Sequence, residues 1–356
     1  MGLLPLYKEG GSSSKSTNKI LFVLAVAAGK GGVGKSTVST NLALAFKNLG
    51  LKVGLLDADV YGPSLGKMLP EGLEPVEDPQ NPEMLLPGLS MGIPFISVAH
   101  FRKNAAIVRA PVANGIIEQF LDTVLWGELD VLILDFPPGT GDIQLTLMQK
   151  GAISAAVVVT TPQEVALIDV RKSIQLFEEM AIPVVGVVEN MSYLIDEKTG
   201  AKFTPFGEGG GAMLSKEFSV PFLGQIPMDQ SISDASDRGK SIWDLAPHSL
   251  AAESFSNMGS LVWDALQRLE QGGWSISQID PFHIQIQRGE KSWVLDAVAV
   301  QSRCPCARCI EKQDKEEKAV SFLEFSLVGR YAVRFGFSTG CSRGIYPFSL
   351  LKQWAK

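Results

Sequence analysis

At 356 residues with 46% apolar side chains, the chain exceeds one ordinary domain and has material for a large core, which excludes a disordered protein and predicts two domains. Its 32 basic and 38 acidic residues leave a formal charge of -6, which excludes the broad electropositive face that nucleic-acid binding requires, so no nucleic-acid partner is expected.

Residues 1–19 read as a flexible tail: the Gly/Ser/Lys run from 10 to 18 is no signal peptide, and Leu6 stands where a myristoylation motif needs Ser or Thr. The apolar run 20–28 is too short to cross a bilayer and enters a glycine-rich loop, so it predicts a buried strand, no membrane partner and a cytoplasmic protein. Further strands are expected at 52–57, 131–135, 155–160 and 184–189. Helices are expected at 35–49, 115–125, 162–180 and 210–218. Continuous apolar strands alternating with helices predict an α/β fold with a mostly parallel sheet covered by helices on both faces. The Pro/Gly-rich stretch 70–94 reads as a long loop beside the site. After 270–273 the pattern changes: Phe282, Ile284 and Ile286 alternate with polar residues, Arg288-Gly289-Glu290 offers a turn, and Tyr331, Val333, Phe335 and Phe337 alternate again. A small C-terminal antiparallel β-rich domain follows, giving domains at 20–270 and 274–356. The charged run 311–318 reads as a solvated loop, and Phe282 and Trp293 as core of the small domain.

Strand, loop and helix frame Gly29-Lys30-Gly31-Gly32-Val33-Gly34-Lys35-Ser36, a P-loop in its required context. Glycines let backbone N–H groups curl around phosphate oxygens; Lys35 is placed to neutralise the β and γ phosphates of ATP, Ser36 to hold Mg2+, and Thr37 to reach the α-phosphate. Asp57-Ala58-Asp59 ends the second strand, with Asp59 expected to orient the attacking water and Asp57 to support the Mg2+ shell. In Leu132 through Asp142, Asp135 is expected to bind a Mg2+ water and Gly139 to sense the γ-phosphate, while Asp142 either caps the next helix or joins this switch. A Mg-dependent ATPase is the expectation.

Lys30 departs from an ordinary Walker A loop, and here the sequence resembles the deviant Walker A superclass of MinD, ParA and the nitrogenase iron protein. That resemblance implies a homodimer in which Lys30 reaches the partner's nucleotide and acts catalytically with Lys35 and Asp59. The segments Asp57 to Ser64, Trp126 to Asp130, Pro137 to Leu147, Thr160-Thr161-Pro162-Gln163, Val188 to Ser192, Phe206 to Gly211 and Pro221 to Pro227 are similar to the Mrp family of iron-sulfur carriers. By that likeness Asn190 would bond the adenine and Ile226-Pro227 would pack on it. The family's Cys-x-x-Cys pair, shared between protomers, is replaced here by Leu194-Ile195-Asp196-Glu197-Lys198.

All four cysteines, Cys304, Cys306, Cys309 and Cys341, lie late in the chain. Arg303 to Cys309 gathers three thiols, and hairpin pairing can bring Cys341 back to them, which is a metal-site pattern. The module resembles the small zinc domain at the start of γ-butyrobetaine hydroxylases, whose fourth ligand is a histidine; here Thr339-Gly340-Cys341 supplies a cysteine. Four thiolates suit zinc or an iron-sulfur cluster, and both stay open. His100, His248 and His283 are scattered and predict no histidine site. The functional expectation is a homodimeric ATPase in iron-sulfur cluster assembly, taking clusters from an assembly scaffold to apoproteins. The rivals are a spatial-organising ATPase like MinD or ParA and a zinc-stabilised regulatory or scaffold ATPase.

Overall fold

Seven successive buried residues, Phe22 to Ala28, make strand β1 (Lys19–Ala28) an interior strand, because neighbouring side chains point to opposite faces and both faces must then be covered. The computed structural model describes residues 18–69, 72–101, 110–196, 198–271, 274–288, 290–304, 309, 320–328, 332–342 and 344–355. The chain divides into two compact units, Met1–Ala265 and Leu266–Lys356.

In the first unit the strands after β1 are β2 (Val53–Asp57), β3 (Val76–Asp78), β4 (Asn81–Leu86), β5 (Gly88–Ser90), β6 (Ile93–Ser97), β7 (Glu128–Asp135), β8 (Ala155–Thr160), β9 (Val184–Glu189), β10 (Leu194–Ile195), β11 (Lys202–Phe203) and β12 (Phe222–Gln225). Eight of them form one sheet in the order β12-β9-β8-β1-β7-β2-β6-β5, parallel except for β5 against β6. The fold class is the one expected. The stretch 70–94, read as a loop, holds strands from Val76 onward: β3 and β4 form an antiparallel ribbon, and β5 and β6 extend the main sheet. Prolines at 75, 79, 82, 87 and 94 obscured the alternation: those at 75, 79 and 87 fall outside the strands, Pro82 lies in the ribbon, and Pro94 precedes the ladder with β2, which begins at Phe95.

Parallel strands need crossovers, and the helices Lys35–Asn48, Ala110–Thr123, Asp142–Lys150 and Glu164–Glu179 supply them. Asp142 lies in the first turn of its helix, whose N-cap is Gly141, so it does not cap that helix. A helix that the sequence reading left out, Leu250–Gln271, buries Phe255, Met258, Val262 and Leu266 at helical spacing. Trp263 meets Phe22 edge-on at 5.8 Å between centroids, and a Cβ on Gly259 would stand 2.8 Å from Ala45 Cβ, so glycine permits this close approach.

The second unit holds two three-stranded antiparallel sheets, β13 (Trp274–Asp280), β14 (His283–Arg288) and β15 (Lys291–Asp296), then β16 (Phe322–Val328), β17 (Ala332–Phe337) and β18 (Ile345–Pro347). Ile284, Ile286, Leu295, Phe322, Phe335, Phe337 and Tyr346 make its core. Trp293 packs half-buried against that core. Phe282 is 46% exposed, a correction explained by its place on the turn before β14, where period-2 alternation does not yet apply. Residues 1–17, the charged run 311–318, Gly289, Tyr331 and Cys306 lie outside the described residues.

Candidate functional site

The loop after β1 is held by two glycines that nothing larger could replace. A Cβ on Gly29 would stand 2.3 Å from the backbone of Asp169, and one on Gly34 would stand 2.1 Å from Asn190 Nδ2. Gly34, at φ 82°, also caps the helix that starts at Lys35, which leaves that helix's positive end facing the loop. Lys35 is buried, and its Nζ sits 2.7 Å from Asp135 Oδ2. The Ser36 hydroxyl donates to the same oxygen at 2.7 Å, and the Ser39 hydroxyl donates to Asp135 Oδ1 at 2.6 Å. Sequence reasoning missed Ser39, though its position one turn after Lys35 places it on the same helical face.

Asp57, the last residue of β2, pairs in register with Asp135, the last of β7, so two fully buried carboxyls end neighbouring strands. Burial, and then the charge of Asp135, push the Asp57 carboxyl up to about 7, against the Ser97 hydroxyl, Lys35 and the Asp59 amide. Ser97 donates to Asp57 Oδ2 at 2.9 Å, and its backbone N–H donates to His100 Nδ1 at 3.1 Å. A folded-state value above the unfolded 3.8 gives stability that is whole at acid pH and is lost as pH rises through about 7. Asp57→Asn should therefore be more stable than the unsubstituted, nucleotide-free protein at pH 8, with the gap narrowing as pH falls below 7 and closing only near 3.8; thermal melts across that range check this.

Asp59 turns to the Gly62 amide, which it accepts at 3.1 Å. Lys30, half-buried, lines a cavity of about 210 Å³ with Gly31, Val33, Thr161, Met191 and Phe206. Gly139 follows β7 at φ 90°, a conformation that suits glycine, and Thr37 is partly exposed beside Ser36. Asn190 is buried and donates from Nδ2 to Val33 O at 2.8 Å, tying the end of β9 to the phosphate loop. Ile226 and Pro227 are buried after β12, and Ile226 O accepts from Ser192 N at 3.0 Å. Beneath them the buried Glu189 accepts from Gly211 N, Gln225 Nε2 and the Ser192 hydroxyl. All of these groups sit at the C-terminal ends of parallel strands, on both sides of β1, where the strand order reverses.

In the second unit Cys341 follows the turn at Gly340, where Phe337 N donates to Cys341 O at 2.9 Å. Its sulfur lies 3.6 Å from Cys304 Sγ and 3.4 Å from Cys309 Sγ, and all three sulfurs fall within 4.8 Å of one another. A disulfide needs a sulfur separation near 2.05 Å, whereas a tetrahedral ion with metal–sulfur bonds of about 2.3 Å sets its ligands about 3.8 Å apart. The trio therefore fits a thiolate-held metal. Burial first, then the nearby Cys304, raises the Tyr346 phenol above its ordinary range. His283 pairs with Asp280, apart from these thiols.

Residues 19–263 match the ParA family described as NUBPL iron-transfer P-loop NTPase. The chain belongs to this family of P-loop NTPases. Residues 281–352 match a second family, described as γ-butyrobetaine hydroxylase-like, N-terminal. A chloroplastic iron-sulfur cluster assembly factor, HCF101 of Oryza sativa subsp. japonica, is 35% identical over 96% of this chain and 66% of its own length. An iron-sulfur cluster carrier protein of Synechocystis is 43% identical over 68% of this chain and 70% of its own. A nucleotide-binding protein of Archaeoglobus fulgidus, solved in complex with ADP, is 40% identical with a TM-score of 0.55, covering 63% of this chain and 88% of that one. The chain spans 66% and 65% of the two plant assembly factors it matches. Among the described residues, no helix is long and apolar enough to cross a membrane.

Proposed function

We propose that the chain binds Mg-ATP at the loop Gly29 to Ser36, hydrolyses it as a homodimer, and couples that cycle to an iron-sulfur cluster received from an assembly scaffold and passed to apoproteins. One observation carries this reading: a single chain of the iron-transfer NTPase family joins the Lys35–Ser36–Asp135 cluster to three sulfurs gathered within 4.8 Å. Oxygen donors beside a buried carboxylate suit Mg2+, so Ser36 and Asp135 would hold the ion, which supplies charge neutralisation at the phosphates. Lys35 exchanges its Asp135 partner for phosphate oxygens, Thr37 reaches the α-phosphate, and the amides of Gly31, Gly32, Val33 and Gly34 complete the cradle. Asp59 orients the attacking water and Asp57 supports the metal shell. Gly139 senses the γ-phosphate, and Asn190 with Ile226 and Pro227 receives the base.

The cluster is cargo, and the only cysteines able to hold it are Cys304, Cys306, Cys309 and Cys341. At the family's usual thiol position Leu194 and Ile195 form one strand of a two-stranded ribbon with Asp196 just after it, and none of the three is a soft ligand. Thiolate carriage calls for a reducing compartment such as the cytoplasm. Anaerobic reconstitution with iron and sulfide should give visible cluster absorbance that moves to an apo-acceptor. Tight zinc alone, with no transferable cluster, would instead favour a zinc-stabilised regulatory ATPase.

Lys30→Ala should keep nucleotide binding and lose turnover by ~100-fold or more, the scale of a cation supplied to a partner's γ-phosphate. Mixing it with Asp59→Ala should restore part of the activity, at sites that combine an intact Lys30 with an intact Asp59. Normal turnover by Lys30→Ala would rule out the trans lysine.

A further inference from the structure

Tyr346 is the largest fully buried side chain of the second unit, and its ring packs on Phe335, Phe337 and Trp354 at centroid distances of 5.4, 6.3 and 6.3 Å. Its hydroxyl, however, is a buried polar atom with no hydrogen-bond partner of good geometry among the described residues. Aromatic packing alone would be served as well by phenylalanine, so the oxygen calls for a separate account.

What faces that oxygen is sulfur. A Cβ built on Gly344 would stand 2.8 Å from Cys304 Sγ and 2.9 Å from Tyr346 Oη, so glycine leaves the hydroxyl and the sulfur bordering one shared space. A neutral thiol is a weak acceptor, which leaves a phenol O–H poorly served. A metal-bound thiolate carries negative charge and accepts strongly, turning the same contact into a charge-assisted hydrogen bond.

We propose that Tyr346 is a positioning residue of the thiol centre, its hydroxyl donating to the Cys304 sulfur once a metal has made that sulfur a thiolate. The inference rests on the reading of the thiols as metal ligands. It makes the phenol an outer-shell partner, of the kind that orients a ligand and adjusts its donor strength. Any metal held there would feel this bond, whether a single ion or a cluster iron.

The test uses the full chain with Zn2+ and Co2+ as probes, comparing the unsubstituted protein with Tyr346→Phe. Metal-free Tyr346→Phe should melt no lower than the parent, since the hydroxyl gains nothing from neutral thiols. Its zinc affinity by chelator competition should fall ~10–100-fold, and its sulfur-to-cobalt charge-transfer band should shift. An unchanged affinity and an unchanged band would overturn the inference alone, as would a metal-free variant that fails to fold or melts lower, because the hydroxyl would then serve apo packing. If the unsubstituted protein takes up neither ion at its thiols, the metal reading itself falls and takes this inference with it.

Discussion

Lys35→Ala should lose ATP affinity by ~100-fold or more, because two charge-assisted contacts to phosphate oxygens, each ~1.5–3 kcal/mol, vanish together. The variant has a second effect in the nucleotide-free state. Lys35 Nζ is the cation at 2.7 Å from Asp135, and without it the buried carboxylate keeps the hydroxyls of Ser36 and Ser39 as its side-chain donors. Breaking such a buried pair from one side costs ~3–5 kcal/mol when the remaining charge persists. The two carboxyls end adjacent strands, so the variant should retain a proton at higher pH and lose most stability in alkaline buffer. Nucleotide titration and thermal melts across pH read both effects. Near-normal ATP binding would sink the assignment of Lys35 to the phosphates.

Cys341→Ser should abolish stoichiometric metal binding while sparing ATP turnover. Among the described thiols, Cys341 approaches both Cys304 and Cys309, at 3.6 and 3.4 Å, so serine there removes a sulfur that the other two share. A structural zinc ion contributes on the order of 10 kcal/mol to folding a small domain, and a hard hydroxyl replaces little of that. The unit after residue 266 has its own aromatic core, so the expected readout is early melting and protease cleavage in that region rather than loss of the whole chain. Metal retained at full stoichiometry after all four cysteines become serine would refute the thiol site.

The parallel sheet was legible because its inner strands are unbroken apolar runs, and a run such as Ala155–Thr160 has no other comfortable place than between two covered faces. The phosphate loop was legible because its chemistry is local: the glycines, Lys35 and Ser36 are contiguous. What joins residues far apart in sequence was not. The pairing of Asp57 with Asp135 depends on β2 lying beside β7, and the hub at Glu189 depends on Gly211 and Gln225 arriving from later elements. The strands between Val76 and Ser97 were masked by prolines, which fall between strands, in the short ribbon or, at Pro94, just ahead of the ladder with β2. The sequence carries no sign that Tyr346 meets the thiols, since only the folded position of Cys304 across Gly344 brings its oxygen to sulfur.

The place of β1 in the sheet also bears on how the chain is made. Though made before its neighbours, β1 hydrogen-bonds to β7 and β8, so it has no partner strand until residues 128–160 have been synthesised. At ~5–20 residues per second that is a wait on the order of 10 s, with a seven-residue apolar segment and two open strand edges exposed. A nascent chain stalled short of β8 is therefore a template for intermolecular strand pairing, and chaperone occupancy of ribosome-bound chains should peak before residue 160 and fall once β8 has docked.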